Sequence, residues 1–162
     1  VIGLKANEIG EIGIIRRIAK ILGPGYVGDD CAVLDNGVDY LVVTTDMLHR
    51  ITDFPREMTG EDIGWMSVAV SLSDVAAMGA WPVGVVAAAG IPGDTDVSFI
   101  DGIARGMEEC ANKYGTDIVG GDTDQHAELT IVTTALGRVD KDKVKLRSGA
   151  KAGDLLCVTG YL

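Results

Sequence analysis

With 162 residues and 47% hydrophobic side chains, the chain is long enough for one folded domain with a substantial core. Its formal net charge of −10, from 14 basic and 24 acidic residues, argues against a nucleic-acid surface and suits divalent cations held by carboxylates. The longest apolar runs, 68–78 and 83–91, are broken by Ser, Asp and Gly and fall short of a bilayer span, so no membrane segment is expected. Cys31, Cys110 and Cys157 are odd in number and far apart, which reads as reduced, packed thiols of a cytoplasmic protein.

In chain order, Ile9, Ile12, Ile15, Ile18, Ala19 and Leu22 keep helical spacing and predict a first amphipathic helix, with Asn7 as its N-cap and Gly23 just past its end. A loop over 23–28 leads through Asp29 and Asp30 to a short strand, 31–34. Asp35-Asn36-Gly37 is a hairpin signal, so 40–45 returns antiparallel and stops at Asp46. Residues 47–58 carry His49, Arg50, Asp53 and Pro55 without periodicity and read as an exposed functional loop. Thr59-Gly60-Glu61-Asp62 is a capping-box pattern that opens a second helix, which stops at Gly79.

A buried strand over 83–89 follows, then a third helix capped by Asp94 or Thr95. Its Val97, Ile100, Ala104, Met107, Ala111 and Tyr114 are expected to face inward. Asp117-Ile118-Val119 is a strand that runs into Gly120-Gly121-Asp122-Thr123; 129–139 is another, 140–145 a turn and 155–159 a last strand. Three helices and five to seven strands in mixed order predict an α+β fold with a mixed, mainly antiparallel sheet and helices packed on one face. An apolar strand leading to Thr159-Gly160 predicts a second domain beyond this chain.

The acids carry the chemistry. On the second helix Ser67, Ser71 and Asp74 fall at i, i+4 and i+7, a polar stripe on an otherwise apolar cylinder. An ionised Asp there is costly unless it is paired, hydrogen-bonded or bound to a metal, and no Lys or Arg lies between Arg56 and Arg105. Asp30, Asp46, Asp74 and Asp122 each border an apolar element. With Thr44, Thr45 and Thr123 beside them they form an all-oxygen donor set that favours magnesium or manganese over zinc. Such sites hold phosphate as the remaining ligand, and Gly120 and Gly121 can turn backbone N–H groups toward it. The plain structural alternative is a set of separate acids that close turns. No Gly-x-x-x-x-Gly-Lys-Ser/Thr loop and no Asp-Phe-Gly of the protein kinases is present.

GDDCAVL, TTDML, AVSLSDVAAMGA, GGDT and LRSGAKAGD, in this order and spacing, resemble the N-terminal domain of the thiamine-monophosphate kinases, in the aminoimidazole-ribotide-synthetase-like superfamily. The resemblance implies that 1–162 is an N-terminal ATP- and magnesium-binding domain, with the C-terminal domain absent. It further implies ATP-dependent phosphorylation of thiamine monophosphate to thiamine diphosphate, and a homodimer whose two sheets form a barrel with helices outside. Carried over by position, Asp30, Thr44, Thr45, Asp46, Asp74 and Asp122 match metal ligands, with Asp29 beside the motif position. Asp46, Asp74 and Asp122 are then the catalytic carboxylates, Gly121 and Asp122 the ATP contact, and Arg147 the basic residue that reaches the nucleotide phosphates.

The family assigns a His-Phe pair after the strand-end Asp to the substrate. Here Asp53-Phe54 stands in its place and His49 precedes it. Either His49 substitutes from another point of the loop or the acceptor is held differently, with Asp53 and His49 the candidate substrate contacts. His126 reads as a solvated loop residue. Rival readings are a selenophosphate-synthetase-like or hydrogenase-maturation-dehydratase-like enzyme of the same superfamily, and a non-catalytic nucleotide-binding or dimerisation module.

Overall fold

The structure, a computed structural model, describes residues 3–23, 28–158 and 160. Two compact units divide the chain, one of residues 30–145 and one of residues 1–29 with 146–162.

The smaller unit contains helix α1 (Ala6–Leu22) and, among its described residues, a 3-10 turn, Arg147–Gly149. The N-cap is Lys5, not the expected Asn7, because the Glu8 carboxylate reaches back to accept the Lys5 backbone N–H at 2.9 Å. Gly10 breaks the helical dihedrals at φ 63, a left-handed conformation that costs glycine little. Most of the expected loop over 23–28 lies outside the described residues. The expected strand over 155–159 is corrected: 155–158 form no strand, Leu155 and Leu156 stand exposed with no strand paired to them, and Thr159 lies outside the described residues.

The larger unit holds β1 (Ala32–Asp35), β2 (Tyr40–His49), α2 (Gly60–Ala77), β3 (Trp81–Ile91), α3 (Val97–Lys113), β4 (Ile118–Gln125) and β5 (Thr130–Val139). The strands make one open sheet in the order β1-β2-β5-β3-β4, antiparallel throughout except for the parallel pair β3/β4. This is the α+β architecture expected. The β1–β2 hairpin closes as its turn residues dictate: Gly37 takes φ 84 and donates its N–H to Asp35 Oδ1 at 2.8 Å.

Helix α2 lies across β2, β5 and β3, and α3 packs against α2 and β4. The capping box is formed as predicted: Thr59 Oγ1 accepts the Asp62 N–H at 3.2 Å while Asp62 Oδ2 accepts the Thr59 N–H at 3.0 Å. Ile63, Val68, Leu72, Val75 and Met78 of α2 pack with Val42, Val85, Ile131 and Ala135 of the sheet. Each fully buried aliphatic side chain contributes roughly 1.5–3 kcal/mol relative to exposure.

The third helix differs from expectation in two ways. Asp96 is its cap, accepting the Ser98 N–H at 2.8 Å in place of Asp94 or Thr95. Its buried stripe is Gly102, Ile103, Gly106, Met107, Cys110 and Ala111, whereas Val97 and Tyr114 are exposed. The glycines rotate the helix onto α2: a Cβ at Gly106 would lie 2.0 Å from the Glu61 carbonyl oxygen, and one at Gly64 would lie 2.0 Å from that of Ile103. Backbone is thus packed on backbone, which ordinary side chains would hold apart.

Strand β2 also runs further than predicted. It continues to His49 through its pairing with β5, so Asp46 lies within the strand, opposite Thr133, and not at its end. The segment after it is less exposed than a free loop, since Phe54 is buried in the core.

Candidate functional site

Along β2 the even residues face α2 and the odd ones face the other side of the sheet, because side chains alternate along a strand. Thr44 and Asp46 therefore meet the polar stripe of α2, and the two elements exchange hydroxyls for carboxylates. Thr44 Oγ1 of the strand donates to Asp74 Oδ2 of the helix at 2.7 Å, and Ser71 Oγ of the helix donates to Asp46 Oδ2 of the strand at 2.7 Å. Both donor residues are buried, whereas the two carboxylates are half-buried.

Asp30 joins this side. Cys31 is buried beside it, and desolvation together with the negative charges of Asp74, Asp30 and Asp46 pushes its thiol up to about 12. The thiol is held protonated by burial and by the carboxylates around it. What remains around it is carboxylate and hydroxyl oxygen, the donor chemistry of a hard divalent cation. Among the described residues no group of three or more His, Cys, Asp or Glu side chains is set to hold a metal by itself. Magnesium commonly takes only one or two carboxylates and fills its shell with water and substrate phosphates, so this donor set fits it.

Other expected site residues lie elsewhere. Thr45 points to the face away from α2, where Thr134 Oγ1 donates to its hydroxyl at 3.0 Å. Asp122 sits within β4 opposite Ala88, on that same face and apart from Asp46 and Asp74. Gly121 is packed so closely on β3 that a Cβ would lie 1.9 Å from the Ala87 carbonyl oxygen. Asp29 and Arg147 belong to the smaller unit, where Asp29 Oδ1 accepts the Arg147 backbone N–H at 2.6 Å.

His49 and Asp53 are brought together. Asp53 Oδ2 accepts the His49 backbone N–H at 2.7 Å and the Thr52 hydroxyl at 2.8 Å, and these bonds hold its carboxyl below the usual carboxylate range. The His49 ring lies on the face away from α2, with Nδ1 at 3.2 Å from Thr130 Oγ1. His126 is an exposed loop residue, as expected, with Nδ1 3.0 Å from the Glu128 carbonyl oxygen and 3.5 Å from the same Thr130 hydroxyl.

Thr133 went unnoticed in the sequence, and Ser71 was seen only as part of a stripe. Thr133 is buried on β5, with Oγ1 donating to the Ser67 carbonyl oxygen at 2.6 Å and lying 2.8 Å from Ser71 Oγ. The available signal was a hydroxyl at an inward position of a strictly alternating strand, between Ile131 and Ala135.

The chain spans about half the length of the curated relatives it matches. It is 46% identical over 149 residues to the thiamine-monophosphate kinase of Methanospirillum hungatei, covering 92% of this chain and 51% of that protein. Against the thiamine-monophosphate kinase of Pyrococcus horikoshii it is 41% identical over 156 residues, 96% of this chain and 50% of that protein. A solved structure of AaThiL complexed with AMPPCP and TMP superposes with a TM-score of 0.88 at 28% identity, covering 93% of this chain and 48% of that one. Residues 28–139 match the family described as AIR synthase related protein, N-terminal domain, and these strands, helices and acidic motifs make the chain a member of that family.

Proposed function

We propose that this chain is the N-terminal, nucleotide- and metal-binding domain of a cytoplasmic enzyme that transfers a phosphoryl group from ATP to thiamine monophosphate, giving thiamine diphosphate. The observation that carries the reading is the match to thiamine-monophosphate kinases along almost the whole chain, at 46% and 41% identity. The neighbouring structure that binds AMPPCP and TMP supports the same pair of ligands here.

In this reading Asp30, Asp46, Asp74 and Asp122 would share several magnesium ions, with manganese as the substitute, each ion taking one or two carboxylates and neutralising charge on the phosphate oxygens. The chain's own contribution is positional. The hydroxyls of Thr44 and Ser71 orient Asp74 and Asp46, so the charge that faces the phosphates is fixed before substrate arrives. A phosphate acceptor is already ionised at neutral pH, so no general base is required, in keeping with a carboxylate pair that has no His beside it.

Asp122 and Gly121 are assigned to the nucleotide, Arg147 to its phosphates, and Thr45 and Asp29 to the margin of the metal site. Asp53 and His49 are assigned to the acceptor. The distance of Asp122 from Asp46 in the fold supports a site that a C-terminal domain and a second copy complete. The face of the sheet away from α2 carries half-buried Leu41, Val43, Val132 and Leu136 with exposed Met47, which supports pairing of two sheets across it.

The direct test incubates the full-length protein with magnesium, ATP and thiamine monophosphate and follows thiamine diphosphate by mass spectrometry. Product is the expected result. Binding of magnesium-ATP without any thiamine diphosphate would overturn the acceptor and leave the family intact.

A further inference from the structure

We infer that Ser71 is a positioning residue for Asp46, and that its hydroxyl fixes the rotation in which the Asp46 carboxylate is offered to a divalent cation. This rests on the reading above, in which Asp46 holds that ion. The argument is a count of protons. Ser71 has one hydroxyl proton and three acceptors in reach: Asp46 Oδ2 at 2.7 Å, Thr133 Oγ1 at 2.8 Å and the Thr133 carbonyl oxygen at 3.2 Å.

An ionised carboxylate is the strongest acceptor of the three, so the Ser71 proton goes to Asp46. The Thr133 proton is directed to the Ser67 carbonyl oxygen at 2.6 Å or to Ser71 Oγ, and either choice leaves the Ser71 proton with Asp46. Ser71 and Thr133 are both fully buried, so solvent does not reach the two hydroxyls. The bond from Ser71 anchors Oδ2 and so fixes the rotation in which the Asp46 carboxylate meets a cation.

Residues that orient a metal ligand change metal affinity about 10- to 100-fold when removed. The experiment is titration of the full-length protein with Mn2+ alone, without nucleotide, followed by the electron paramagnetic resonance signal of free Mn2+. Three variants are compared, each with its melting temperature. Ser71→Ala removes the donor, and Ser71→Cys keeps a similar volume with only a weak donor. Thr133→Val removes the neighbouring buried hydroxyl, whose described hydrogen bonds go to Ser71 and the Ser67 carbonyl oxygen and not to Asp46.

The expected result is that Ser71→Ala weakens Mn2+ binding by about tenfold or more, with Ser71→Cys intermediate. Thr133→Val should lower the melting temperature and leave the Mn2+ affinity within about twofold of wild type. If Ser71→Ala fails to fold, Ser71→Cys decides. Unchanged affinity in the folded Ser71 variants overturns the proposal alone, and so does an equal loss in Thr133→Val, which would trace the effect to general damage of the core. Absence of Mn2+ binding to the wild-type protein overturns the metal reading and the proposal with it.

Discussion

Asp46 and Asp74 face each other across the β2–α2 packing, and each takes its hydrogen bond from the opposite element. An ionised carboxylate half-buried in this way needs a donor or a cation, and the opposite element supplies each with a hydroxyl donor. Asp46→Asn is expected to cut thiamine diphosphate formation by more than about 100-fold while preserving the fold, since the amide accepts a hydrogen bond and carries no charge for the ion. Initial rates and far-ultraviolet circular dichroism check the two halves of that statement. Cys31 provides an independent reading of the local field. Its thiol, pushed up to about 12 and buried, should resist iodoacetamide at pH 8 in the native protein, whereas exposed Cys157 should be alkylated. Peptide mass spectrometry distinguishes them; rapid native labelling of Cys31 would contradict the burial and the charge cluster together.

The elements that frame this site are set by glycine as much as by apolar pattern. Gly60-x-x-x-Gly64 on α2 and Gly102-x-x-x-Gly106 on α3 interlock, and Gly64→Ala would drive a Cβ into the Ile103 carbonyl oxygen at 2.0 Å. Overpacking of that kind costs about 1–3 kcal/mol or more, and urea unfolding of Gly64→Ala should show a loss on that scale with an unchanged m-value. The caps add a pH dependence. Asp62 and Asp96 are held below the usual carboxylate range by the Thr59 and Ser98 side chains and backbone N–H groups they cap. A carboxylate whose folded value is depressed stabilises the fold above its unfolded value, and that contribution is lost as pH falls through the folded value. Thermal stability should therefore hold from neutral pH to about pH 4 and decline below it.

Much of this level was legible in the sequence: the Thr59 capping box, the Asp35-Asn36-Gly37 hairpin and the alternation of β5 are local signals, and local chemistry decides them. The inward face of α3 was legible in part: Met107 and Ala111 are buried as expected, but a period of apolar residues ranks Val97, Ala104 and Tyr114 above Gly102 and Gly106. A glycine's part in a helix crossing shows only when the partner helix carries its own. The end of β2 was misplaced for a similar reason, since pairing with β5 carries the strand past Asp46 to His49. Of the oxygen donors expected to lie together, Thr44, Asp46 and Asp74 meet between β2 and α2, whereas Thr45 and Asp122 lie on the opposite face of the sheet. Thr133 escaped because a lone threonine in a strand has no chemistry until Ser71 stands opposite it.

At the scale of the whole molecule, five strands are covered on one face by α2 and α3, and the other face presents aliphatic side chains together with Asp122 and His49. Pairing of two copies across that face predicts a dimer in sedimentation equilibrium, and Val132→Asp should shift it to monomer while leaving the melting temperature of the monomer close to wild type. A wild-type monomer at working concentration would contradict the paired sheets. The central claim, that the β2–α2 carboxylates serve phosphoryl transfer to thiamine monophosphate, is tested most directly by following label from γ-32P-ATP into thiamine diphosphate with the full-length wild-type protein, Asp46→Asn and Asp74→Asn. Labelled product in wild type and its loss in both variants is the predicted result. Labelled thiamine diphosphate formed equally by all three would contradict it.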